Sequence, residues 1–87
     1  MIEYKVGQVV RHFKAEFNRP IEEQQMKYYY VIIALPWDET EHRFVVVYQA
    51  LYGDHMLFVR SLSEFSSLVD VEKYPEVKQK HRFEVIT

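Results

Sequence analysis

The sequence has no cysteine, and it has only two glycines and three prolines among its 87 residues. Without cysteine no disulfide can form, and because small secreted domains often depend on disulfides, we expect a location in the reducing cytoplasm. So few glycines and prolines, together with 48% hydrophobic residues, exclude a low-complexity linker and a disordered chain. We therefore expect one small folded domain over residues 1–87.

An excess of charge and long apolar runs are also lacking. The formal net charge is −2, which is not typical of a general nucleic-acid binder. No apolar run approaches the roughly 20 residues that span a membrane, and Met1–Lys5 lacks the apolar segment of a signal peptide, so we expect no membrane partner. Two basic clusters are interpreted as solvated surface in preference to a phosphate site: Arg11, His12 and Lys14, and Lys73, Lys78, Lys80, His81 and Arg82.

Alternating β-branched and aromatic residues predict about five short strands. They cover residues 7–13, 27–35, 43–51, 55 or 56 to 60, and 81–86. Pro36 ends the second strand, and Gly53 supplies the turn after the third, because glycine adopts a positive φ at little cost. Pro20 is placed at the start of a short helix over residues 20–25, since proline is tolerated in a first helical turn.

The pattern changes to helical after the fourth strand. Ser61 precedes Glu64 by three residues, the spacing of a capping box, and Leu62, Phe65 and Leu68 share one side of a helical turn. The predicted fold class is therefore mainly β, with a short helical turn before the last strand. So few strands leave open edges unless the sheet closes, and the spacing leaves an SH3-like barrel, an OB barrel and a half-barrel as alternatives.

The third strand and its turn carry a resemblance to a known family. Val47–Asp54, in letters VYQALYGD, resembles the hallmark of an uncharacterised bacterial family, domain of unknown function sixteen fifty-three. Four further matches follow in the same order: Arg11–Lys14, Glu39-Thr40, Leu57–Arg60 with Phe65, and Arg82-Phe83. The resemblance implies an SH3-like barrel and implies no activity. Trp37 and Asp38 stand where the family more often has His and Ser.

The hairpin also carries the first candidate site, formed by Tyr48, Gln49, Tyr52, Asp54 and Arg60. Both sides of the third strand are apolar, so Gln49 is a polar group among aliphatic side chains and needs hydrogen-bond partners. We favour a network that fixes the hairpin. The alternative is a ligand site with a polar floor and aromatic walls.

A second candidate site is the acidic turn Trp37–His42, in which a tryptophan lies beside carboxylates and a histidine. Such a turn would suit a cationic or peptide ligand, although a solvated loop is the favoured interpretation. The four histidines have no short metal-ligand spacing, so neither a metal nor another cofactor is expected. Cysteine nucleophiles and glycine-rich phosphate loops are absent, and only an arbitrary pairing such as His12 with Glu39 would supply an acid and a base.

These observations favour a binding or accessory module for a protein segment or a small polar molecule. The predicted surface consists of Arg11, His12, Trp37, Glu39, Thr40, Tyr48, Gln49, Tyr52, Asp54 and Arg60. A module for single-stranded nucleic acid is the alternative, and an enzyme with a His/carboxylate site is the least favoured. Apolar residues on both strand sides also suggest a homodimer.

Overall fold

The structure, a computed structural model, describes residues 3–18 and 25–87. The predicted helix that begins at Pro20 falls largely outside these residues. The described chain forms six strands: β1 (Val9–His12), β2 (Tyr29–Ala34), β3 (Trp37–Asp38), β4 (Arg43–Ala50), β5 (Leu57–Ser61) and β6 (Phe83–Val85). A 3₁₀ helix, Phe13–Phe17, follows β1, and a single α-helical turn, α1 (Leu62–Phe65), follows β5. The mainly β class and the helical turn before the last strand are thus confirmed.

All strand pairs are antiparallel, and β4 pairs with three other strands, β2, β3 and β5. The order is β3-β4-β2-β1-β6, with β5 also pairing with β4. After a bulge between Ile32 and Ala34, Ala34 pairs with Val47. Pairing with β4 continues beyond Pro36, so that Trp37-Asp38, predicted as part of a turn, forms β3. No pairing within the described residues joins β5 to β6, so the sheet is not closed. It is compatible with an SH3-like barrel, which stays a prediction.

Side chains alternate between the two faces of the sheet, as strand geometry requires. On the inner face Val46, Tyr48 and Ala50 are buried. On the outer face Leu57 and Val59 remain 59% and 66% exposed. The sheet therefore buries one face in the core and leaves the other at the surface.

The helical turn α1 covers the opening between β5 and β6. Phe65 is fully buried and its ring stacks on that of Phe83, with centroids 4.0 Å apart. Ser61 caps the turn as predicted, because its side chain accepts a hydrogen bond from the Glu64 N–H at 3.2 Å. The prediction for Leu68 was wrong: α1 ends at Phe65, and Leu68 is 67% exposed.

Two local features of the backbone shape the hairpin turn and the end of β1. Gly53 has φ 58°, the positive value predicted for the hairpin turn. Phe13, predicted as strand, begins the 3₁₀ helix because the side chain of His12 accepts a hydrogen bond from the Lys14 N–H and caps it.

No helix within the described residues has the length and hydropathy needed to span a membrane.

Candidate functional site

Aromatic rings line a cleft of about 220 Å³ on the inner side of the sheet. We call it the aromatic cleft, and its residues are His12, Lys14, Tyr28, Tyr30, Tyr48, Tyr52, Phe58, Arg60 and Phe83. They come from β1, β2, β4, β5 and β6 and from the segments beside these strands. The cleft therefore exists only once the strands are assembled.

The tyrosines of the aromatic cleft hold one another in place. The hydroxyl groups of Tyr30 and Tyr52 share a hydrogen bond of 2.8 Å, and the ring of Tyr30 meets that of Tyr48 edge-on at 5.2 Å. Burial, followed by the hydrogen bond to Tyr52, raises the pKa of Tyr30 well above its ordinary value. The wall of the cleft therefore keeps a neutral hydroxyl at physiological pH.

Tyr28, which lines the aromatic cleft, has a backbone conformation that is unusual for its residue type. Its φ is 71°, in the left-handed region, which costs an L-residue roughly 1–2 kcal/mol. Its carbonyl accepts the His12 N–H at 2.9 Å, and its ring lies 6.2 Å from that of Tyr52. Such conformations persist where the surrounding structure imposes them, and they are concentrated at functional sites.

A larger cleft of about 400 Å³ adjoins the aromatic cleft and shares His12, Lys14 and Arg60 with it. We call it the basic cleft, and its residues are His12, Phe13, Lys14, Arg60, Leu68, Val69, Asp70, Lys73, Tyr74 and Arg82. It is lined by four cations and one carboxylate. That carboxylate, Asp70, already accepts the backbone N–H groups of Glu72 and Lys73 at 3.0 and 3.3 Å.

The cations of the basic cleft have few acidic partners. Arg60 Nη1 lies 3.7 Å from Glu64 Oε2, and Arg60 Nε donates to the Tyr48 hydroxyl at 3.3 Å. Arg82 Nε donates to Ser67 Oγ, also at 3.3 Å. In the part of the chain that the structure describes, no ion pair is made by Lys14, Lys73 or Arg82. The basic cleft therefore has an excess of positive charge.

His12 lies at the junction of the two clefts. It is buried, its ring stacks on Phe13 at 4.5 Å, and its Nδ1 accepts the Lys14 N–H at 3.1 Å. Burial, followed by the nearby positive charges of Arg82, Lys14 and Arg60, lowers the pKa of His12 from 6.5 to about 4. The imidazole is therefore neutral at pH 7, and because Nδ1 is an acceptor, its proton is on Nε2.

Four of the ten residues predicted for the functional surface line the aromatic cleft: His12, Tyr48, Tyr52 and Arg60. Arg11 does not, because neighbouring residues of a strand point to opposite faces. Its Nη2 lies 3.7 Å from Glu16 Oε2, and its Nε donates to Gln79 Oε1 at 2.9 Å. Arg11 therefore holds the segment before β6 against β1.

Trp37, Glu39 and Thr40 do not line either cleft. They lie where β3 turns into β4, whereas Tyr52 follows the other end of β4. Trp37 packs edge-on against Phe44 at 5.0 Å, and the Thr40 N–H donates to Asp38 Oδ1 at 3.1 Å. The acidic turn is thus a separate, locally hydrogen-bonded hairpin end.

Gln49 and Asp54 also lie outside both clefts. The amide of Gln49 donates to the His55 carbonyl at 3.0 Å, and Asp54 is exposed in the turn. This geometry fits the favoured interpretation of Gln49, a hydrogen bond that fixes the hairpin. Leu57 and Val59 are exposed on the outer face. The homodimer stays a prediction.

Sequence reasoning left several residues of the clefts out of the predicted surface: Lys14, Tyr28, Tyr30, Phe58 and Phe83 in the aromatic cleft, and chiefly Lys73, Tyr74 and Arg82 in the basic one. The sequence did contain a signal for the cations of the basic cleft. Lys14 and the pair Lys73 and Arg82 belong to the two basic clusters, which the sequence places near opposite ends of the chain. The pairing of β1 with β6 brings these ends together.

The donor set of the clefts favours an anion over a metal. Among residues 3–18 and 25–87, no three His, Asp or Glu side chains are grouped so that they could hold a metal ion. The basic cleft instead offers ammonium and guanidinium groups, which bind carboxylate and phosphate by charge-assisted hydrogen bonds.

The fold and site together define a small, mainly β domain in which a cationic cleft adjoins an aromatic one. The chain belongs to the family described as "Protein of unknown function (DUF1653)", whose model matches residues 8–85. The hairpin and its flanking motifs predicted this family. Comparison with curated proteins and with solved structures gave no match.

Proposed function

We propose that this protein is a binding module for a small anionic ligand, which it holds in the basic cleft. The observation that carries the proposal is the meeting of Lys14, Arg60, Lys73 and Arg82 around one cavity of about 400 Å³ in a chain whose net charge is −2. Cavities of this size are typical of small-molecule sites. Lys14, Lys73 and Arg82, which make no ion pair within the described residues, are a ready counter-charge for a ligand.

A neutral His12 fits this role. Because its proton is on Nε2, the imidazole is a hydrogen-bond donor at the junction of the clefts. The side chain of Arg60 is already directed by Tyr48 and Glu64. A partly fixed guanidinium loses less side-chain entropy when it binds an anion.

The test is an NMR titration of the ¹⁵N-labelled protein with ribose 5-phosphate at low salt. We expect shifts at residues of the basic cleft, and a loss of affinity of at least tenfold in the double variant Lys14→Gln/Lys73→Gln. The matched control is Lys5→Gln/Lys80→Gln, which removes the same charge from two exposed lysines outside both clefts. Equal losses in the two variants would show general attraction by charge and contradict the proposal.

Single-stranded nucleic acid is the second candidate, because cations beside aromatic rings also suit stacked bases and a phosphate backbone. The net charge of −2 counts against it. Retention on single-stranded DNA or RNA at low salt, lost in the same double variant, would favour it over a small ligand.

A further inference from the structure

The junction of the two clefts narrows the class of ligand, given that the proposed function is correct. We infer that the ligand joins a planar aromatic ring, held in the aromatic cleft, to a phosphate group, held in the basic cleft, as a mononucleotide does.

The ring part follows from the walls of the aromatic cleft. Tyr28, Tyr52 and Phe58 are only partly buried, so their rings have surface left for contact. Stacking on aromatic side chains tolerates any base, because every base has a π-face. Tyr28 adopts its left-handed conformation at this wall, which indicates that the surrounding structure holds its backbone in place there.

The phosphate part follows from the basic cleft. Two guanidinium groups, of Arg60 and Arg82, and two ammonium groups, of Lys14 and Lys73, border it. Guanidinium binds two phosphate oxygens at once, and ammonium adds a compact positive charge. A phosphate monoester carries close to two negative charges at pH 7, which this set can match.

The size and shape of the site favour one nucleotide over a strand. At about 220 Å³ the aromatic cleft is smaller than a typical small-molecule site, so it suits one part of a ligand and not a whole one. His12, Lys14 and Arg60 border both clefts, so one molecule can reach from the rings to the cations. Binding of a strand requires a basic groove that follows several successive phosphates.

The experiment compares adenosine 5′-monophosphate, uridine 5′-monophosphate and ribose 5-phosphate by calorimetry on the full chain. We expect at least one mononucleotide to bind about tenfold more tightly than ribose 5-phosphate, which has the phosphate and no base. Tyr28→Leu or Phe58→Leu should remove that difference, and ribose 5-phosphate should still bind. Phe44→Leu, which changes an exposed ring outside both clefts, should keep it.

The possible failures are distinguishable. If ribose 5-phosphate binds in the basic cleft as tightly as both mononucleotides, the inference about the ring is overturned and the proposed function stands. If none of the three binds, both fall. If a twelve-residue oligothymidylate binds much more tightly per site than any mononucleotide, the protein binds single strands and the mononucleotide inference is overturned.

Discussion

Phe65 and Phe83 lie face to face in the core, with ring centroids 4.0 Å apart and planes only 2° from parallel. Phe65 belongs to α1 and Phe83 to the last strand. Their contact spans the opening that the hydrogen bonds of the described sheet do not close. The same region is tied by main-chain bonds, from the Val69 N–H to the Lys80 carbonyl at 2.8 Å and from the Arg82 N–H to the Ser67 carbonyl at 2.7 Å.

Phe65→Ala should therefore lower the free energy of unfolding by about 3–5 kcal/mol, because a fully buried ring would leave a cavity. That is a large part of the roughly 5–15 kcal/mol that stabilises a typical domain. Urea unfolding measures the loss. Leu68→Ala is the control, and because Leu68 is exposed its effect should stay within about 0.5 kcal/mol. Similar effects in the two variants would mean that α1 does not close the core.

The acid sensitivity of the fold should depend on His12. Its pKa is about 4 in the folded protein and 6.5 in the unfolded chain, so the unfolded chain takes up the proton first as the pH falls. The contribution of neutral His12 to the free energy of unfolding is therefore complete above pH 6.5. It is lost as the pH falls from 6.5 to 4, and the total loss is about 3 kcal/mol.

Urea unfolding between pH 4.5 and 7.5 checks this, with His12→Gln as the variant without the titrating group. Its stability should vary less with pH over this window. Glu16, whose pKa is lowered chiefly by its hydrogen bond from the Lys78 N–H, loses its contribution only as the pH falls below its ordinary value of 4.5. Parallel pH curves for the two proteins would contradict the role of His12.

Gln49 and Arg60, both polar residues of the hairpin, should respond differently to substitution. Gln49→Leu should cost about 0.5–1.5 kcal/mol of stability, the net contribution of one hydrogen bond, and leave the affinity for ribose 5-phosphate unchanged. Arg60→Met should cost less than about 1 kcal/mol, since its ion pair with Glu64 is partly exposed, but should weaken binding at least tenfold. Urea unfolding and calorimetry on both variants test this, and the opposite pattern would move the site to the outer face.

Tyr4 should stabilise the fold through its hydroxyl. The group is buried and donates to the Phe83 carbonyl at 2.7 Å. Tyr4→Phe should cost about 0.5–1.5 kcal/mol. Burial, with a smaller contribution from Glu84, raises the pKa of Tyr4 from 10 to about 12, so this tyrosine contributes full stability below pH 10 and loses it between pH 10 and 12. Stability measured from pH 8 to 11 should thus decline more steeply in wild type than in Tyr4→Phe.

The sequence by itself determined the features that depend on neighbours along the chain. Alternation of side chains predicted the main strands, Gly53 predicted the positive φ of the hairpin, and Ser61 with Glu64 predicted the capped turn. The hairpin and its flanking motifs also identified the family. Each of these signals lies within a few residues, where propensity and hydrogen bonding are local.

Only the tertiary structure decided where the candidate site lies. Lys14 and Arg82 are 68 positions apart, and it is the pairing of β1 with β6 that places them on one cleft. Strand geometry also places the side chains of Arg11 and Gln49 on faces away from this cleft, although both residues belong to the motifs that resemble the family. Strand register and the bulge in β2 fix which face each side chain takes, and such long-range pairing has no short signal in the sequence.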